Sequence, residues 1–433
     1  MSTRQTLSSA TSEGSMSMPT LDLVQEAEDA FEVEQLTSAM MQARAGEWTS
    51  KESVLVRCMT WNVCGEAFSS IDYDSIDIFA CLKTADSHIV AIGLQEMVDL
   101  TASNVVFDRS KTEERLAYWT TAFQSALDMS GEKYQLLSRG ALVGVALMVF
   151  IKQSLIPYAY DVRLTTTGVG ALGVMGNKGA VTIGFRLHDS SVCFVSSHLA
   201  SGRNKVVPRS IQYRSILEKT ALMMSEESTR NRPWHHNGHR KFVAKEGLSI
   251  LDYDLVFWVG DLNYHIDQEM SIEEVFRLVE NRDWATLRLK DQLISQRESR
   301  QAFAGFREAE LNFAPTYKYL PGSNDYDRRE DKLRAPAWCD RVLWYADRLV
   351  DDVTCLDYER LETCLSDHKP VVAAFKFLAS TILREKELEI LNTVRHKLDR
   401  VANEARPRLS LDNQRHELGR MMIGVCRHTT VIL

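Results

Sequence analysis

A buried strand that ends in two polar side chains constrains the fold of this chain more than any other feature. Residues 255–259 (LVFWV) are apolar and rich in β-branched and aromatic side chains, as expected of a strand covered on both faces. The chain then bends at Gly260 and presents Asp261 and Asn263, whose spacing directs both side chains to one side of an extended backbone. Alone, this sequence would predict only a hydrogen-bonded turn. It matters here because similar polar groups flank other predicted strands.

Eight polar side chains hold such positions at strand ends. Five follow their strands and three precede them: Asn62, Glu96, His198, Asp261 and Asn263 in the first group, and Asp340, Asp367 and His368 in the second. The two groups can meet at one edge only if their strands run in opposite directions. Several strand pairs are joined too briefly for a crossover helix, which favours mixed sheets over a parallel sheet. The sequence therefore predicts a sandwich of mixed sheets with a site at one rim.

The composition restricts the classes of protein to consider. An apolar fraction of 45% and a charged fraction of 25% are typical of a globular protein. The formal net charge of −8 argues against a general nucleic-acid binder, so we expect no nucleic-acid partner. The eight cysteines form no CxxC pair and the first residues lack the apolar core of a signal peptide, which predicts a reduced, cytoplasmic protein. The longest apolar run, residues 141–151, is too short to span a bilayer and predicts a buried strand.

We predict three segments along the chain. Residues 1–50 form an N-terminal extension, partly disordered and containing an acidic helix, and residues 51–378 form the main domain. Residues 379–433 form a helical tail with an apolar seam of two heptads, which is too short to predict a coiled coil. The seam consists of Leu391, Val394, Leu398, Val401 and Ala405. We expect it to pack back on the main domain, with a protein partner or dimerisation as the alternative.

The oxygen donors among the strand-end residues suit a hard divalent cation. Asn62 and Glu96 supply one amide and one carboxylate. Magnesium commonly takes one or two protein ligands and completes its octahedron with water and substrate phosphate. The sequence thus predicts a Mg²⁺ cofactor at the rim of the sandwich.

The remaining strand-end residues suit hydrolysis of a phosphate ester. Asp261 can act as a general base towards water, and Asn263 can hold a phosphoryl oxygen. His198 and His368 can stabilise charge on the phosphoryl group, and Asp340 can fix the tautomer of His368. Phosphate-monoester hydrolysis is among the slowest uncatalysed reactions, so a metal and pre-aimed donors are expected together.

Eight short motifs carry a family resemblance. FWVGDLNY and PAWCDRVLW resemble the two hallmark motifs of the inositol polyphosphate 5-phosphatases, within the deoxyribonuclease-I-like superfamily of metal-dependent phosphoesterases. TWNVCGE, LQEMV, MGNKGAV, SSHLASG, PTYKY and SDHKPV match further family segments in the family's order, over residues 52–378. The resemblance implies a four-layer α/β sandwich with two central mixed β-sheets flanked by helices. It also implies Mg²⁺-dependent removal of the 5-phosphate from phosphoinositides such as PI(4,5)P2 and PI(3,4,5)P3, or from soluble Ins(1,4,5)P3, by an activated water.

The same resemblance assigns roles to individual residues. It implies a metal site at the strand ends, formed by Glu96 and Asn62, with which we group Asp367. It implies that Asp261 activates the water and that His368 with Asp340 stabilises the transition state. The residues implied to hold the scissile phosphate are Lys178, His198 and Asn263. Those that match the family's 4-phosphate contacts are Tyr317, Lys318, Lys332 and Arg334, and three cations on two loops suit a vicinal phosphate.

Two positions depart from the family pattern. The family usually has arginine after the aromatic residue of GDxNY, whereas this chain has His265. After SHLASG the family tends to have Arg-Asn, where this chain has Arg209-Ser210. We keep Arg209 as a substrate-binding candidate, but recognition of a 1-phosphate and the choice between lipid and soluble substrate stay open.

Membrane contact and two other functions remain as alternatives. We expect any contact with an anionic membrane surface to be peripheral, through basic residues within 230–245 or apolar residues 105–107, with a solvated loop and core packing as the alternatives. A nuclease or sphingomyelinase of the same superfamily would fit the metal site, but the acidic chain argues against it. A catalytically silent phosphoinositide-binding scaffold has only His265 in its favour.

Overall fold

A computed structural model describes residues 21–65, 87–98, 109–170, 178–223, 247–346, 349 and 352–410. The chain divides into two compact units. Of the described residues, 21–50 and 382–410 belong to the first unit and the others to the second. Among the described residues, no helix is both long enough and apolar enough to cross a lipid bilayer.

Two mixed β-sheets form the centre of the second unit. Their strands in chain order are β1 (Thr49–Asn62), β2 (Ile89–Gln95), β3 (Tyr134–Leu142), β4 (Val145–Lys152), β5 (Ala159–Gly168), β6 (Gly179–Leu187), β7 (Ser190–His198), β8 (Leu255–Asp261), β9 (Asp340–Ala346), β10 (Val353–Arg360) and β11 (Val371–Ile382). The six-stranded sheet has the order β10-β11-β1-β2-β4-β3, and the five-stranded sheet has the order β5-β6-β7-β8-β9. The β1–β2 and β7–β8 pairs are parallel, whereas β2–β4 and β8–β9 are antiparallel. The predicted mixed sheets are confirmed.

Helices flank the sheets. The α-helices are α1 (Leu21–Ala43), α2 (Ala45–Trp48), α3 (Arg109–Asp128), α4 (Val206–Lys219), α5 (Ile272–Glu280), α6 (Trp284–Arg288), α7 (Gln292–Glu298) and α8 (Arg384–Ser410), with short 3-10 helices at Gln153–Tyr158, Ile250–Asp252 and Glu330–Lys332. Helix α3 packs Trp119 and Phe123 against the six-stranded sheet, and α4 packs Tyr213 and Ile216 against the five-stranded sheet. The order is helix, sheet, sheet, helix, so the predicted four-layer sandwich is confirmed.

The two sheets pack face to face through an apolar core drawn from both. The two sheets approach each other closely at Gly93 of β2. A Cβ atom at this position would lie 2.7 Å from Ser196 Oγ on β7 and 2.7 Å from Val259 Cγ2 on β8. Only glycine leaves room for this spacing, so the sequence sets the distance between the sheets at the strands that carry the polar ends.

The apolar run at residues 141–151 forms a hairpin instead of the predicted single strand. Strand β3 ends at Leu142 and pairs with Val145 at the start of β4, leaving a two-residue turn at Val143 and Gly144. Val143 has a φ of 51°, in the left-handed region that such turns require. The prediction was wrong because both strands are apolar on either side of the turn, and hydrophobicity does not mark a turn this short.

The first unit contains α1, α2 and α8. Its apolar cluster joins Met41 and Trp48 to Ile390, Leu391 and Val394, with Leu398 packed beside it. The backbone N–H of Leu383 donates to the Trp48 carbonyl at 2.8 Å. The apolar seam of the C-terminal helix therefore has its partner in α1 and α2, which the sequence pattern did not identify.

Candidate active site

Strand pairing brings the polar strand ends of the five-stranded sheet together. The parallel β7–β8 pair places His198 beside Asp261, and the antiparallel β8–β9 pair places Asp261 beside Asp340. In the six-stranded sheet the parallel β1–β2 pair places Asn62 beside Gln95, the residue before Glu96. The strands that are followed by polar residues run towards this edge, and the strands that are preceded by them run away from it. The positions of these residues in the sequence required this arrangement. The predicted convergence is therefore a property of the sheet registers.

Asp261 lies at the centre of the candidate site. Its side chain is 2% exposed. The Asn62 side-chain amide donates to Asp261 Oδ2 at 3.0 Å, and His198 Nε2 lies 3.3 Å from the same oxygen. Asp261 Oδ1 accepts the backbone N–H of Asn263 at 3.0 Å. Burial alone would raise the pKa of Asp261, but the hydrogen bond and charge of His198, together with His368 and Lys178, lower the pKa below its usual value. The carboxylate is therefore ionised at neutral pH.

His368 and Asp340 form a buried pair beside Asp261. His368 Nδ1 lies 2.9 Å from Asp340 Oδ2, which also accepts the Thr316 hydroxyl at 2.7 Å. The other ring nitrogen, Nε2, lies 4.0 Å from Asp261 Oδ2. Burial would lower the pKa of His368, but Asp340, with Asp261 and Asp367, outweighs burial and raises that pKa to about 10. His368 is accordingly an imidazolium that turns a positive N–H towards Asp261.

Glu96, His198 and Lys178 form the adjoining wall of the site. His198 Nε2 lies 3.7 Å from Glu96 Oε1 and contacts Lys178 Nζ. Glu96 has a φ of 53°, so the chain turns sharply at the end of β2, and its side chain is 32% exposed. Burial lowers the pKa of Lys178, while the charges of Asp261 and Glu96 oppose that change. The partly exposed Glu96 gives this wall an accessible carboxylate.

The oxygen donors fit a hard divalent cation. Asp261, Asp340 and His368 offer ligand atoms within 4.8 Å of one another, and Asp340 Oδ1 is buried with no hydrogen-bond partner among the described residues. A protonated His368 cannot ligate a metal, so the carboxylate and amide oxygens around it are the suitable donors. Of the predicted ligands, Asn62 binds Asp261 of this group, and Glu96 lies 3.7 Å from His198, which is itself 3.3 Å from Asp261.

Asp367 lies apart from this donor group. Its carboxylate Oδ2 is 3.6 Å from Lys318 Nζ, and its backbone carbonyl accepts the N–H of Tyr319 at 2.9 Å. Among the described residues, the donor group of Asp261, Asp340 and His368 does not include it. Asp367, a predicted metal ligand, is thus paired with the ammonium group of Lys318.

The predicted 4-phosphate contacts lie on two loops. The ring of Tyr317 packs on the His368 ring at a centroid distance of 4.6 Å, and Lys318 follows it in the chain. Lys332 ends the short helix Glu330–Lys332 and is exposed, as is Arg334, whose guanidinium donates to the carbonyl of Leu333 at 2.9 Å. Tyr317 and Lys318 are thus held beside the buried pair, while Lys332 and Arg334 project from the surface.

Arg209 is fully buried, which argues against the predicted substrate contact. Its guanidinium donates to the carbonyls of Ala200 and Gly202 at 3.1 and 2.7 Å and to Gln292 Oε1 at 2.7 Å. Burial lowers the pKa of Arg209 to about 10. These contacts favour a structural role in which Arg209 holds the loop after β7 against helix α7.

Two hydroxyls that we had not considered complete the site. Thr316 donates to Asp340, as described above, and Ser366 Oγ donates to the Asn62 carbonyl at 2.7 Å. Ser366 Oγ also accepts the backbone N–H of His368 at 3.1 Å. Both lie inside motifs noted in the sequence, PTYKY and SDHKPV, but a hydroxyl's partner cannot be read from spacing. The segments 105–107 and 230–245, predicted to touch lipid, lie outside the described residues.

Comparison with known proteins places this geometry in a family. Residues 59–374 match the family model described as Endonuclease/Exonuclease/phosphatase family 2. The chain is 33% identical to the type IV inositol polyphosphate 5-phosphatase 9 of Arabidopsis thaliana, over 76% of this chain and 79% of that protein. The chain belongs to the inositol polyphosphate 5-phosphatase family. This is a family of phosphoric monoester hydrolases, as the sequence motifs predicted.

The chain is also similar to two synaptojanins. Synaptojanin-2 of Rattus norvegicus is 34% identical over 83% of this chain, but the chain spans only 25% of the length of that relative. The solved 5-phosphatase domain of SPsynaptojanin, in complex with inositol (1,4)-bisphosphate and a calcium ion, superposes with a TM-score of 0.69 at 27% identity. It covers 86% of this chain and 98% of the solved chain.

Proposed function

We propose that this protein hydrolyses the 5-phosphate of phosphoinositides such as PI(4,5)P2 and PI(3,4,5)P3, and of soluble Ins(1,4,5)P3, with Mg²⁺ as cofactor. The observation that carries the proposal is the ionised Asp261 with the cationic His368 at 4.0 Å and the Asn62 amide at 3.0 Å. The SPsynaptojanin domain was solved with an inositol phosphate that carries no 5-phosphate, together with a divalent cation. Family membership and this arrangement support the same reaction.

Asp261 acts in this reaction as the acceptor of the water proton. The water oxygen bonds to phosphorus as the bond from phosphorus to the inositol oxygen breaks. The departing oxygen takes up a proton from solvent, and Asp261 later releases the water proton to solvent. The low pKa of Asp261 keeps the carboxylate ionised, so it works as an oriented acceptor more than as a strong base. The hydrogen bonds from Asn62 and the Asn263 backbone fix its direction.

The cations around Asp261 stabilise the negative charge of the phosphoryl group. His368 keeps its proton through the Asp340 carboxylate and can donate Nε2–H to a phosphoryl oxygen. His198 and Lys178 approach from the adjoining wall, and the Asn263 amide adds a neutral donor that binds the Leu199 carbonyl at 3.1 Å. Because these donors are already in place, little reorganisation is needed as charge develops.

Glu96 and Asn62 are the residues that would hold magnesium. When bound, the cation would supply positive charge to polarise the phosphoryl oxygens and lower the pKa of a water. Asn62 would orient its amide while remaining tied to Asp261, and the partly exposed Glu96 would present its carboxylate. We propose that Asp367 serves the substrate side through Lys318 and contributes to the metal site only by charge.

The substrate side of the site suits a phosphate next to the one that is cleaved. Lys318, Lys332 and Arg334 are the proposed contacts, with Tyr317 as the platform between them and His368. A lipid substrate would place the protein at a membrane surface, so we propose a cytoplasmic protein in peripheral contact with anionic membrane. The residues that would touch the membrane stay a prediction.

Phosphate release measured with malachite green tests the proposal. Phosphate release is measured in the presence of Mg²⁺ and in the presence of a chelator. The three substrates are PI(4,5)P2 in vesicles, PI(3,4,5)P3 in vesicles and soluble Ins(1,4,5)P3. We expect metal-dependent release of phosphate, and we expect none from single-stranded DNA. If none of the three substrates yields metal-dependent phosphate, the proposed activity is wrong.

Two aspartate-to-asparagine variants at the two ends of β8 separate chemistry from folding. Asp261→Asn should lower kcat by at least about 10²-fold, the scale of a positioned proton acceptor. Asp254→Asn is the matched control, because Asp254 directly precedes β8, at the end of the strand away from Asp261, and accepts the Ser191 backbone N–H and hydroxyl at 2.8 and 2.7 Å. It should lower stability and leave kcat near wild type. Equal kcat in the two variants would contradict the assigned role.

A further inference from the structure

His265 is enclosed at the back of the candidate site. The residue is 4% exposed. Its backbone N–H donates to Gln292 Oε1 at 3.0 Å, and its carbonyl accepts the Gln292 backbone N–H at 2.9 Å. Gln292 begins α7 and also receives the Arg209 guanidinium, so the backbone at His265 is held from a rigid element. The backbone position from which the imidazole projects is therefore fixed.

The imidazole itself is held by packing. Its Nε2 atom is buried and has no hydrogen-bond partner among the described residues. Burial, reinforced by the charges of Arg209 and Arg203, lowers the pKa of His265 to about 3, although Asp261 opposes the shift. The ring is thus neutral at physiological pH. A neutral ring without a hydrogen bond at Nε2 contributes mainly its shape.

The Tyr317 ring contacts both the His265 ring and the His368 ring. The His265 and Tyr317 rings meet edge to face, with centroids 6.0 Å apart and an interplanar angle of 74°. Tyr317 also contacts the His368 ring, with centroids 4.6 Å apart and an interplanar angle of 36°. The Tyr317 backbone also forms isolated bridges to His368 and Ala337, which fix its main chain and leave the ring to be set by its neighbours.

We propose that His265 is a positioning residue, an aromatic spacer that sets the Tyr317 ring against His368 and thereby holds the His368 ring towards Asp261. The inference rests on the proposed phosphatase function. It assigns a role to a position where the family pattern has arginine, and it makes no use of the imidazole as an acid, a base or a ligand.

Two substitutions at His265 separate ring shape from ring chemistry. His265→Ala removes the spacer and should lower kcat by about 10- to 100-fold, the scale of a misplacement of an ångström or less, with KM changed less than kcat. His265→Phe keeps a planar ring and removes the unpaired nitrogen. It should retain kcat within about threefold of wild type and raise the melting temperature, because a buried polar atom without a partner destabilises the folded state.

A double-mutant cycle tests whether the effect passes through Tyr317. Tyr317→Leu should by itself lower kcat, and adding His265→Ala should then lower kcat no further than about twofold, since coupled residues are not additive. His188→Ala is the matched control. The His188 side chain is only 8% exposed and stacks on Tyr158 at 4.5 Å, but it lies at the turn after β6, the opposite end of the β6–β7 pair from His198. It should lower the melting temperature and leave kcat unchanged.

The outcomes are distinguishable from failure of the function itself. If wild type releases no phosphate, the proposed function fails before the variants are compared. If wild type is active, a His265→Phe variant that loses activity as His265→Ala does would overturn the inference and assign the nitrogen a chemical role. Additive losses in the cycle, or a His265→Ala variant that loses stability but keeps kcat, would also overturn it.

Discussion

The buried Arg341 network makes a quantitative prediction for stability. Arg341 is fully buried at the start of β9, next to Asp340. Its guanidinium binds Glu308 at 2.6 and 2.8 Å and Asp291 at 2.9 and 3.1 Å. Glu308 has two further partners, Arg297 at 3.1 Å and the Tyr358 hydroxyl at 3.1 Å. Removing Arg341 would therefore leave Asp291, and not Glu308, as the uncompensated charge.

Arg341→Met should lower the free energy of unfolding by about 3–5 kcal/mol, the cost of stranding one partner of a buried ion pair. Adding Asp291→Asn to this variant should restore about 1–3 kcal/mol, since it removes the stranded charge and keeps an acceptor for the Ile294 backbone N–H at the start of α7. Urea denaturation followed by tryptophan fluorescence measures both values. Arg277→Met, which breaks an exposed pair with Glu274, is the control and should cost less than about 1 kcal/mol.

The pH dependence of the same variant has a defined sign. Burial raises the pKa of Asp291 above its ordinary value even with Arg341 present. A carboxyl with a raised folded-state pKa favours folding when protonated and loses that contribution as pH rises through its pKa. The loss of unfolding free energy caused by Arg341→Met should accordingly be smallest in acid and grow towards neutral pH. A deficit below about 1 kcal/mol at pH 7, or no rescue by Asp291→Asn, would refute the reasoning.

Three further changes probe the site and the core. Asp340→Asn should lower kcat by about 10²- to 10³-fold in phosphate release with little change in KM, because His368 loses the charge that holds its proton; unchanged kcat would contradict this. Lys318→Gln should raise KM by about tenfold for substrates with a 4-phosphate and much less for one without it, as expected of a charged hydrogen bond; an equal effect on both would contradict the contact. Gly93→Ala should lower the free energy of unfolding by about 1–3 kcal/mol through overpacking between the sheets, measured by urea denaturation.

The strand ends could be predicted from sequence because burial and polarity change abruptly there. Asp261 and Asp340 stood out as carboxylates beside apolar runs, and the antiparallel β8–β9 register then brings them together. The partners of Asp340 could not be predicted in full. The hydroxyl of Thr316 reaches it across 24 residues of sequence through a loop whose path no periodic pattern encodes.

Sequence reasoning was less informative where a side chain's direction decides its function. The sequence predicts a substrate contact for Arg209, but its two terminal guanidinium nitrogens donate to Ala200, Gly202 and Gln292 inside the protein. The turn at Val143 was missed for a related reason, since the residue is as apolar as its neighbours and only its backbone angle differs. Hydrophobicity indicates which residues are buried, whereas tertiary contacts determine the direction of each side chain.

The pairing of α1 and α2 with α8 makes the first unit depend on segments that are synthesised far apart. Leu391 and Val394, the partners of Met41 and Trp48, lie some 350 residues further along the chain. At roughly 5–20 residues per second, they are synthesised tens of seconds after Met41 and Trp48. During that interval the side chains of Met41 and Trp48 lack the apolar cover that they have in the folded unit.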